Sequence, residues 1–333
     1  MRPTMGDIAV EAGVSQMTVS RVIRGTGQTS VEVRERVHDA ARKLGYVQNR
    51  LATALRDESS TLVAVVLPTL RNRVFSEVLD GINEVLSTGG YRPVFGVTEY
   101  SQEREEELVL DLLSWRPRGI ILSGLEHSDA TRAAVLASGV QVVEVMDTDG
   151  DPISAAFGLS QTQAGRTTAS HMISKGYRRF GYIGSRDGKD LRAEKRFAAF
   201  RDVVRESGAQ IVNEILVEGP SSMVAGRRST AQMVASADRP DAIYFSNDDL
   251  AAGGIMHCLS EGIEIPSELA LAGFNGLSFL EALPIRLTTV ETPRLEMGRR
   301  AAAHVMQASE PSESLPSPSV IDLGFRLIPG ETC

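Results

Sequence analysis

The stretch that most constrains the fold is Asp7–Arg21, which reads D-I-A-V-E-A-G-V-S-Q-M-T-V-S-R. Small and apolar residues recur there at spacings of three, four and seven, which suits two short helices that each bury one face. These residues are Ile8, Ala9, Ala12, Val14, Val19 and Val22. Gly13 suits a tight turn between the helices, and Ser15 is a candidate N-cap for the second. The stretch therefore indicates a helix-turn-helix, a motif whose second helix enters the major groove of DNA. The alternative is an ordinary helical hairpin with a polar surface.

A third helix follows the pair. The apolar spacing predicts it from about Val31 to Leu44, with Ser30 as its N-cap and Gly45 as its stop. Three helices of this length can form one small core. We therefore expect an all-α helix-turn-helix head in residues 1–47, joined by a hinge or linker in residues 48–60 to the rest of the chain.

Charge is divided unevenly between the head and the rest of the chain. The net charge is −8, but residues 1–57 carry nine Lys or Arg and six Asp or Glu, a net of +3. A basic head on an acidic body is expected where only the head meets phosphates. The two cysteines have no metal-ligand or CxxC spacing, no apolar run reaches a membrane span, and no signal peptide pattern opens the chain. We therefore expect a cytoplasmic protein without cofactor, metal or membrane partner.

Short β-rich runs alternate with helical stretches from Thr61 onward, in two successive series. Such alternation predicts parallel sheets with helices on both faces, and ligands bind such sheets at the carboxyl ends of their strands. Residues 61–333 are thus expected to form an α/β body of two doubly wound parallel-sheet subdomains. The first subdomain would comprise about 61–158 plus 291–319, and the second about 159–290 plus 320–330.

Two other functions, an enzyme and a solute-binding protein, have less support in the sequence than DNA binding. The run G-S-R-D-G-K-D at 184–190 is one residue short of a phosphate-binding loop, and Asp190 stands where Ser or Thr must hold magnesium. The chain has no HExxH and no GxSxG. We therefore expect no enzyme and no catalytic residues. A solute-binding protein would share a two-lobed body, but it would need an export signal and no DNA-binding head.

Two segments resemble the lactose-repressor-type (LacI/GalR) family of transcription factors. They are V-S-Q-M-T-V-S-R at Val14–Arg21 and Y-V-Q-N-R-L-A-T-A-L at Tyr46–Leu55. The resemblance implies a periplasmic-binding-protein-like body and a hinge that becomes helical on a pseudo-palindromic operator. It also implies that Leu55, with Ala52 beside it, enters the minor groove as an apolar wedge. Residues 46–60 alone would equally suit a plain linker. Some members of the resembling family form tetramers through a C-terminal coiled coil. No heptad repeat lies near the C-terminus here, so we expect a homodimer.

The resemblance assigns roles on the head. Gln16, Met17 and Arg21 would read bases, and a guanidinium can pair bidentately with guanine. Other residues suit contacts with the DNA backbone, although each could equally be a solvated surface residue. They are Thr4, Ser15, Thr18, Ser20 and Asn49.

The resemblance also implies an effector in the cleft of the body and residues that bind it. The predicted effector-binding residues are Phe75, His127, Asp147, Arg196, Asn247 and Asn275, although His127 could equally be an exposed loop residue. The family's usual G-x-D-D reads Gly273–Gly276 here, with Asn275 in place of an aspartate. Loss of a carboxylate lowers repulsion against an anion. Segments 67–79, 113–122 and 322–325 also resemble gluconate-responsive members. A sugar acid such as gluconate is therefore expected, either releasing DNA or promoting its binding.

Overall fold

The computed structural model describes residues 3–26, 28–47, 60–185, 190–307 and 318–333. The chain forms two compact units, residues 1–60 and 61–333. Among the described residues, no helix is long and apolar enough to cross a membrane.

The described part of the first unit contains three helices, α1 (Met5–Ala12), α2 (Gln16–Arg24) and α3 (Val31–Leu44). The predicted caps are confirmed, because the Ser15 and Ser30 hydroxyls accept from the backbone N–H groups of Thr18 and Val33. Gly13 adopts φ +63°, the left-handed conformation that the turn requires. The helices bury a small apolar core that includes Ile8, Val19 and Val37. The predicted helix-turn-helix is therefore the observed fold of the head.

The first lobe of the second unit is built on a parallel six-stranded sheet with the strand order β11-β5-β4-β3-β1-β2. Its strands are β1 (Leu62–Leu67), β2 (Arg92–Val97), β3 (Gly119–Ser123), β4 (Gln141–Val145), β5 (Ala155–Gly158) and β11 (Ser319–Asp322). Its helices are α4 (Arg73–Thr88), α5 (Gln102–Ser114), α6 (Asp129–Ser138) and α11 (Arg294–Gln307). Apolar side chains of the central strands are almost fully buried, as in a sheet covered on both faces.

The second lobe is built on a parallel four-stranded sheet with the order β7-β6-β8-β9. Its strands are β6 (Arg179–Ser185), β7 (Gln210–Val217), β8 (Ala242–Phe245) and β9 (Ala270–Ala272). Its helices are α7 (Gln161–Ser174), α8 (Leu191–Glu206), α9 (Met223–Val234) and α10 (Asp248–Glu261). A short 3₁₀ helix, Ser278–Ala282, follows β9, and β10 (Thr289–Glu291) pairs antiparallel with β12 (Arg326–Ile328).

The C-terminal stretch corrects one expectation. Residues 320–330 were assigned to the second subdomain, but β11 pairs with β5 and belongs to the first lobe. The chain then turns at Gly324, whose N–H donates to the Asp322 carboxylate, and enters β12. Strand β5 itself was not predicted, because its four residues are fully buried and lack an alternating pattern.

Close helix packing holds α8 in place. Gly165 of α7 faces the backbone of Arg196 on α8, and a Cβ at Gly165 would lie well inside contact distance of the Arg196 carbonyl oxygen. Only a glycine permits this approach. The position of α8, which carries several cleft side chains, therefore depends on this contact.

Candidate nucleic-acid interface and effector cleft

The outward face of α2 is the candidate nucleic-acid interface. Gln16, Met17 and Arg21 are exposed, and Met17 keeps 65% of its surface accessible although it is apolar. Val19 and Val22 of the same helix are buried in the head. The helix thus presents an amide, a thioether and a guanidinium on one side, which can respectively hydrogen-bond, contact a thymine methyl and pair with guanine.

Three of the hydroxyls assigned to the DNA backbone, those of Thr4, Ser15 and Thr18, have partners within the head. Thr4 caps α1 in a capping box with Asp7, and the Ser15 Oγ lies 2.9 Å from the Thr18 Oγ1. Ser20 is half-buried on α2. These side chains order the helix N-termini, where backbone N–H groups can themselves meet phosphates. Their phosphate contacts stay predictions, and Asn49, Ala52 and Leu55 lie outside the described residues.

Four of the predicted effector residues meet in one place. A small chamber of about 30 Å³ lies between the two lobes, near the carboxyl ends of their strands. Its lining includes Phe75, Arg196, Asn247 and Asn275. Its other lining residues are Asn72, Val74, Met146, Leu159, Gln161, Asp190, Arg192, Ser246, Phe274 and Thr292. The parallel strands bring these residues together from both lobes, as expected for a ligand cleft.

Arg196 is held rigidly at the wall of this chamber. Only 6% of the residue is exposed, and its guanidinium carbon lies 3.8 Å from the centre of the Phe274 ring. Its Nη2 donates to the Ser246 carbonyl at 3.2 Å, and Nη1 donates to the Gln161 side chain. A stacked guanidinium with fixed direction is suited to recognising a carboxylate.

The two asparagines are held by different means. The Asn247 Oδ1 accepts from the Leu250 N–H and so caps α10, while its Nδ2 donates to the Ser221 Oγ at 2.8 Å. Asn275 has φ +124°, an unusual conformation for a residue other than glycine. Its backbone is fixed by bonds to Val290 and Thr292. The chamber therefore presents neutral amides beside its cations.

His127 is buried, which corrects the alternative of an exposed loop residue, and it lies outside the lining of the small chamber. Its Nδ1 lies 2.7 Å from the Glu105 carboxylate, and its Nε2 lies 3.2 Å from the Gly124 carbonyl. Burial lowers the pKa of His127, but the hydrogen bond and charge of Glu105, aided by Glu144, raise it overall. Both ring nitrogens face acceptors, which favours the imidazolium form, and a role of His127 in effector binding stays a prediction.

Asp147 also lies outside the chamber lining, although it follows β4 as predicted. Its carboxylate is fully buried and accepts from Lys195 Nζ at 2.7 Å, across the lobes. Burial raises the pKa of Asp147, against the lowering effect of Lys195. Lys195 also pairs with Glu126 and donates to the Asp149 carbonyl. Asp147 therefore joins the two lobes through Lys195, and its contact with an effector stays a prediction.

Sequence reasoning identified Arg196 on α8 but missed Arg192 and Lys195 beside it. Arg192 and Lys195 share one side of this helix with Arg196 and reach the first lobe. Asp190 caps the helix, and although burial raises its pKa, Arg192 and Arg196 lower it overall. Three cations near a helix N-terminus are unfavourable, because the helix dipole is positive there. This placement in the sequence could have indicated that the three side chains have specific partners.

Comparison with known proteins agrees with this architecture. Residues 4–49 match the family described as bacterial regulatory proteins, lacI family, and residues 169–333 match a periplasmic binding protein-like domain. The HTH-type transcriptional regulator GntR of Pseudomonas aeruginosa is 37% identical over 99% of this chain and 96% of its own length. The protein of the same name from Escherichia coli K12 is 34% identical over 99% and 98%.

A solved structure shows the same likeness in three dimensions. The crystal structure of a LacI-family transcriptional regulator from Silicibacter pomeroyi has a TM-score of 0.92 and 43% identity, covering 99% of both chains. Identity at this level over the full length, together with the helix-turn-helix head and the two-lobed body, shows the family. The chain therefore belongs to the lacI family of bacterial regulatory proteins, and it is a DNA-binding transcriptional regulator.

Proposed function

We propose that this regulator is a homodimeric repressor of a sugar-acid catabolism operon, with a gluconate-like aldonate as its effector. The observation that carries the effector class is the charge of the small chamber. Arg192 and Arg196 line it with Asp190 as the one carboxylate among its described lining residues. Two cations against one anion favour an anionic ligand, and the amides of Asn247 and Asn275 suit its hydroxyl groups.

The head supplies the DNA-binding side of the proposal. Gln16, Met17 and Arg21 would read base edges in each half of a pseudo-palindromic operator, one half for each protomer. The hinge, residues 48–60, would add Ala52 and Leu55 in the minor groove. The proposed division is residues 1–47 for DNA binding and 61–333 for effector binding and dimerisation. The protein would act in the cytoplasm and would not be an enzyme.

Control requires the effector to favour one arrangement of the lobes energetically. The cross-lobe bonds of Lys195 to Asp147 and of Arg192 to Ser123 are contacts that such a rearrangement would change. A coupling of about 1–3 kcal/mol between the effector and operator sites is typical of allosteric proteins. We therefore expect operator affinity to change by roughly 5- to 150-fold at saturating effector.

The test is an operator-binding titration. Fluorescence anisotropy with a palindromic fragment from upstream of the protein's own gene would be measured with no ligand, with aldonates and with matched neutral sugars. We expect specific binding, and an affinity change with aldonates alone. Binding no tighter than to random DNA would contradict the regulatory assignment of this fragment. A response to neutral sugars alone would refute the proposed effector class.

A further inference from the structure

Two chambers in the cleft share a single lining residue, Arg192. The larger chamber, about 420 Å³, lies at the carboxyl ends of β1, β2 and β3 and includes Ser101, Gln102 and Ser123. The smaller one holds Arg196 and Asn247. Arg192 comes from α8 of the second lobe, and its Nη1 donates to the Ser123 Oγ of the first lobe at 2.8 Å. This guanidinium therefore forms the partition between the chambers.

The two chambers differ greatly in volume. The small chamber has a volume of only about 30 Å³. Ligand sites usually span about 300–1,000 Å³, a range that only the larger of these two chambers reaches. A sugar acid that fills the large chamber and also touches Arg196 would pass Arg192 and displace its guanidinium from Ser123.

Charge fixes the direction in which such a ligand would lie. The large chamber carries Glu103, Glu105 and Glu126, and Arg192 is its one cation among the described lining residues. Carboxylates accept hydrogen bonds from sugar hydroxyls but repel a ligand carboxylate. The polyol chain suits the large chamber, and the carboxylate suits the end where Arg192 and Arg196 lie.

Arg192 can exchange its hydrogen-bond partner Ser123 for a ligand without losing a strong interaction. The residue is 8% exposed, and its guanidinium carbon lies 5.5 Å from the centre of the Phe75 ring. Its Nε lies 3.4 Å from the Asp190 carboxylate, a long contact, and Ser123 supplies a neutral acceptor. A ligand carboxylate would replace the weaker neutral bond with a charge-assisted bidentate pair.

We propose that Arg192 is the residue that selects an anionic effector, and that its guanidinium leaves Ser123 to pair with the ligand's carboxylate. This inference rests on the proposed sugar-acid effector and adds the residue that reads its charge. Because Ser123 belongs to the first lobe and Arg192 to the second, the exchange also removes a bond between the lobes. Recognition of the charge and release of a cross-lobe contact are then one event.

Calorimetry on the full-length protein with D-gluconate and D-glucitol tests this inference, since the two ligands differ only at C1, a carboxylate against a hydroxymethyl group. The variants are Arg192→Gln, Arg192→Lys and Ser123→Ala. The matched control is Arg205→Gln, an exposed position on the same helix, whose side chain pairs locally with Asp202. Thermal unfolding of each variant checks that it folds.

Wild-type protein and Arg205→Gln should both bind gluconate more tightly than glucitol. Arg192→Gln should weaken gluconate binding by roughly 10- to 100-fold, the usual size of a charge-assisted bond, and leave glucitol binding unchanged. Arg192→Lys should lie between, because it keeps the charge but loses the bidentate fork. Ser123→Ala should bind gluconate a few-fold more tightly, since the guanidinium no longer has to leave an acceptor.

The outcomes separate this inference from the proposed function. If wild-type protein binds gluconate but Arg192→Gln keeps the full preference over glucitol, the role of Arg192 is refuted alone. An equal loss for both ligands would likewise refute charge selection and indicate a structural role. If wild-type protein binds no aldonate, or binds glucitol equally well, the proposed effector class fails and this inference fails with it.

Discussion

Replacing Glu144 by Gln should remove a pH-dependent penalty from the folded body. Glu144 lies on β4 with no exposed surface, and its Oε2 accepts from the Ile153 N–H at 2.8 Å. Its Oε1 has no hydrogen-bond partner among the described residues and lies 3.6 Å from the His127 Nε2. Burial disfavours the carboxylate and raises the pKa of Glu144 from 4.5 to about 7, against the opposing effects of His127 and the backbone.

The size and sign of the change in unfolding free energy follow from the difference in the pKa of Glu144 between the folded and unfolded states. The folded state holds the Glu144 proton up to about pH 7, whereas the unfolded chain releases it near pH 4.5. Stability from this group therefore falls as pH rises through that window and stays low above it. At 1.36 kcal/mol per pKa unit, the loss between about pH 5 and pH 8 is about 2–3 kcal/mol. The raised pKa of His127 acts in the same direction, because its imidazolium is also lost as pH rises.

Urea unfolding of the full-length protein at several pH values measures this effect. Trp115, the only tryptophan, follows α5 in the same lobe and reports on its unfolding. Glu144→Gln should match wild type near pH 5 and exceed it by about 2–3 kcal/mol near pH 8. Glu84→Gln, at a mostly exposed carboxylate, is the control and should follow wild type throughout. A Glu144→Gln variant that loses stability with pH as steeply as wild type would refute the buried-carboxylate argument.

Three further predictions concern the lobes and the hinge. Lys195→Gln leaves the fully buried Asp147 carboxylate without its cation, so urea unfolding should show a loss of about 3 kcal/mol, and an unchanged midpoint would contradict the pairing. Gly165→Ala should cost about 1–3 kcal/mol and weaken effector binding, since it pushes α8 from α7. Gly96→Ala, where the nearest atom would lie at 3.4 Å, should cost less, and the reverse order would count against the close-packing argument. Leu55→Ala should weaken specific operator binding far more than binding to random DNA in a gel shift, and equal losses would contradict the wedge.

The head could be predicted closely because its structure depends on neighbours in the sequence. The Ser15 and Ser30 caps bond to N–H groups three residues onward, and Gly13 sets its turn through its own φ. These interactions act over three or four residues, so the amino-acid order is enough to specify them. The alternation of strands and helices in the sequence likewise predicted the two-lobed α/β body.

Contacts between distant residues decided the rest. Arg192 meets Ser123 across 69 positions, and Lys195 meets Asp147 across 48, so no local pattern pairs them. The sequence does not show that His127 is buried against Glu105 and Glu144, because these contacts join residues 22 and 17 positions apart. The composition of strand β11 suits either lobe. Its parallel pairing with β5, at the edge of the first sheet, places it in the first lobe. Local propensity chooses helices, strands and caps, whereas the partner of a side chain depends on which strand ends the sheets bring together.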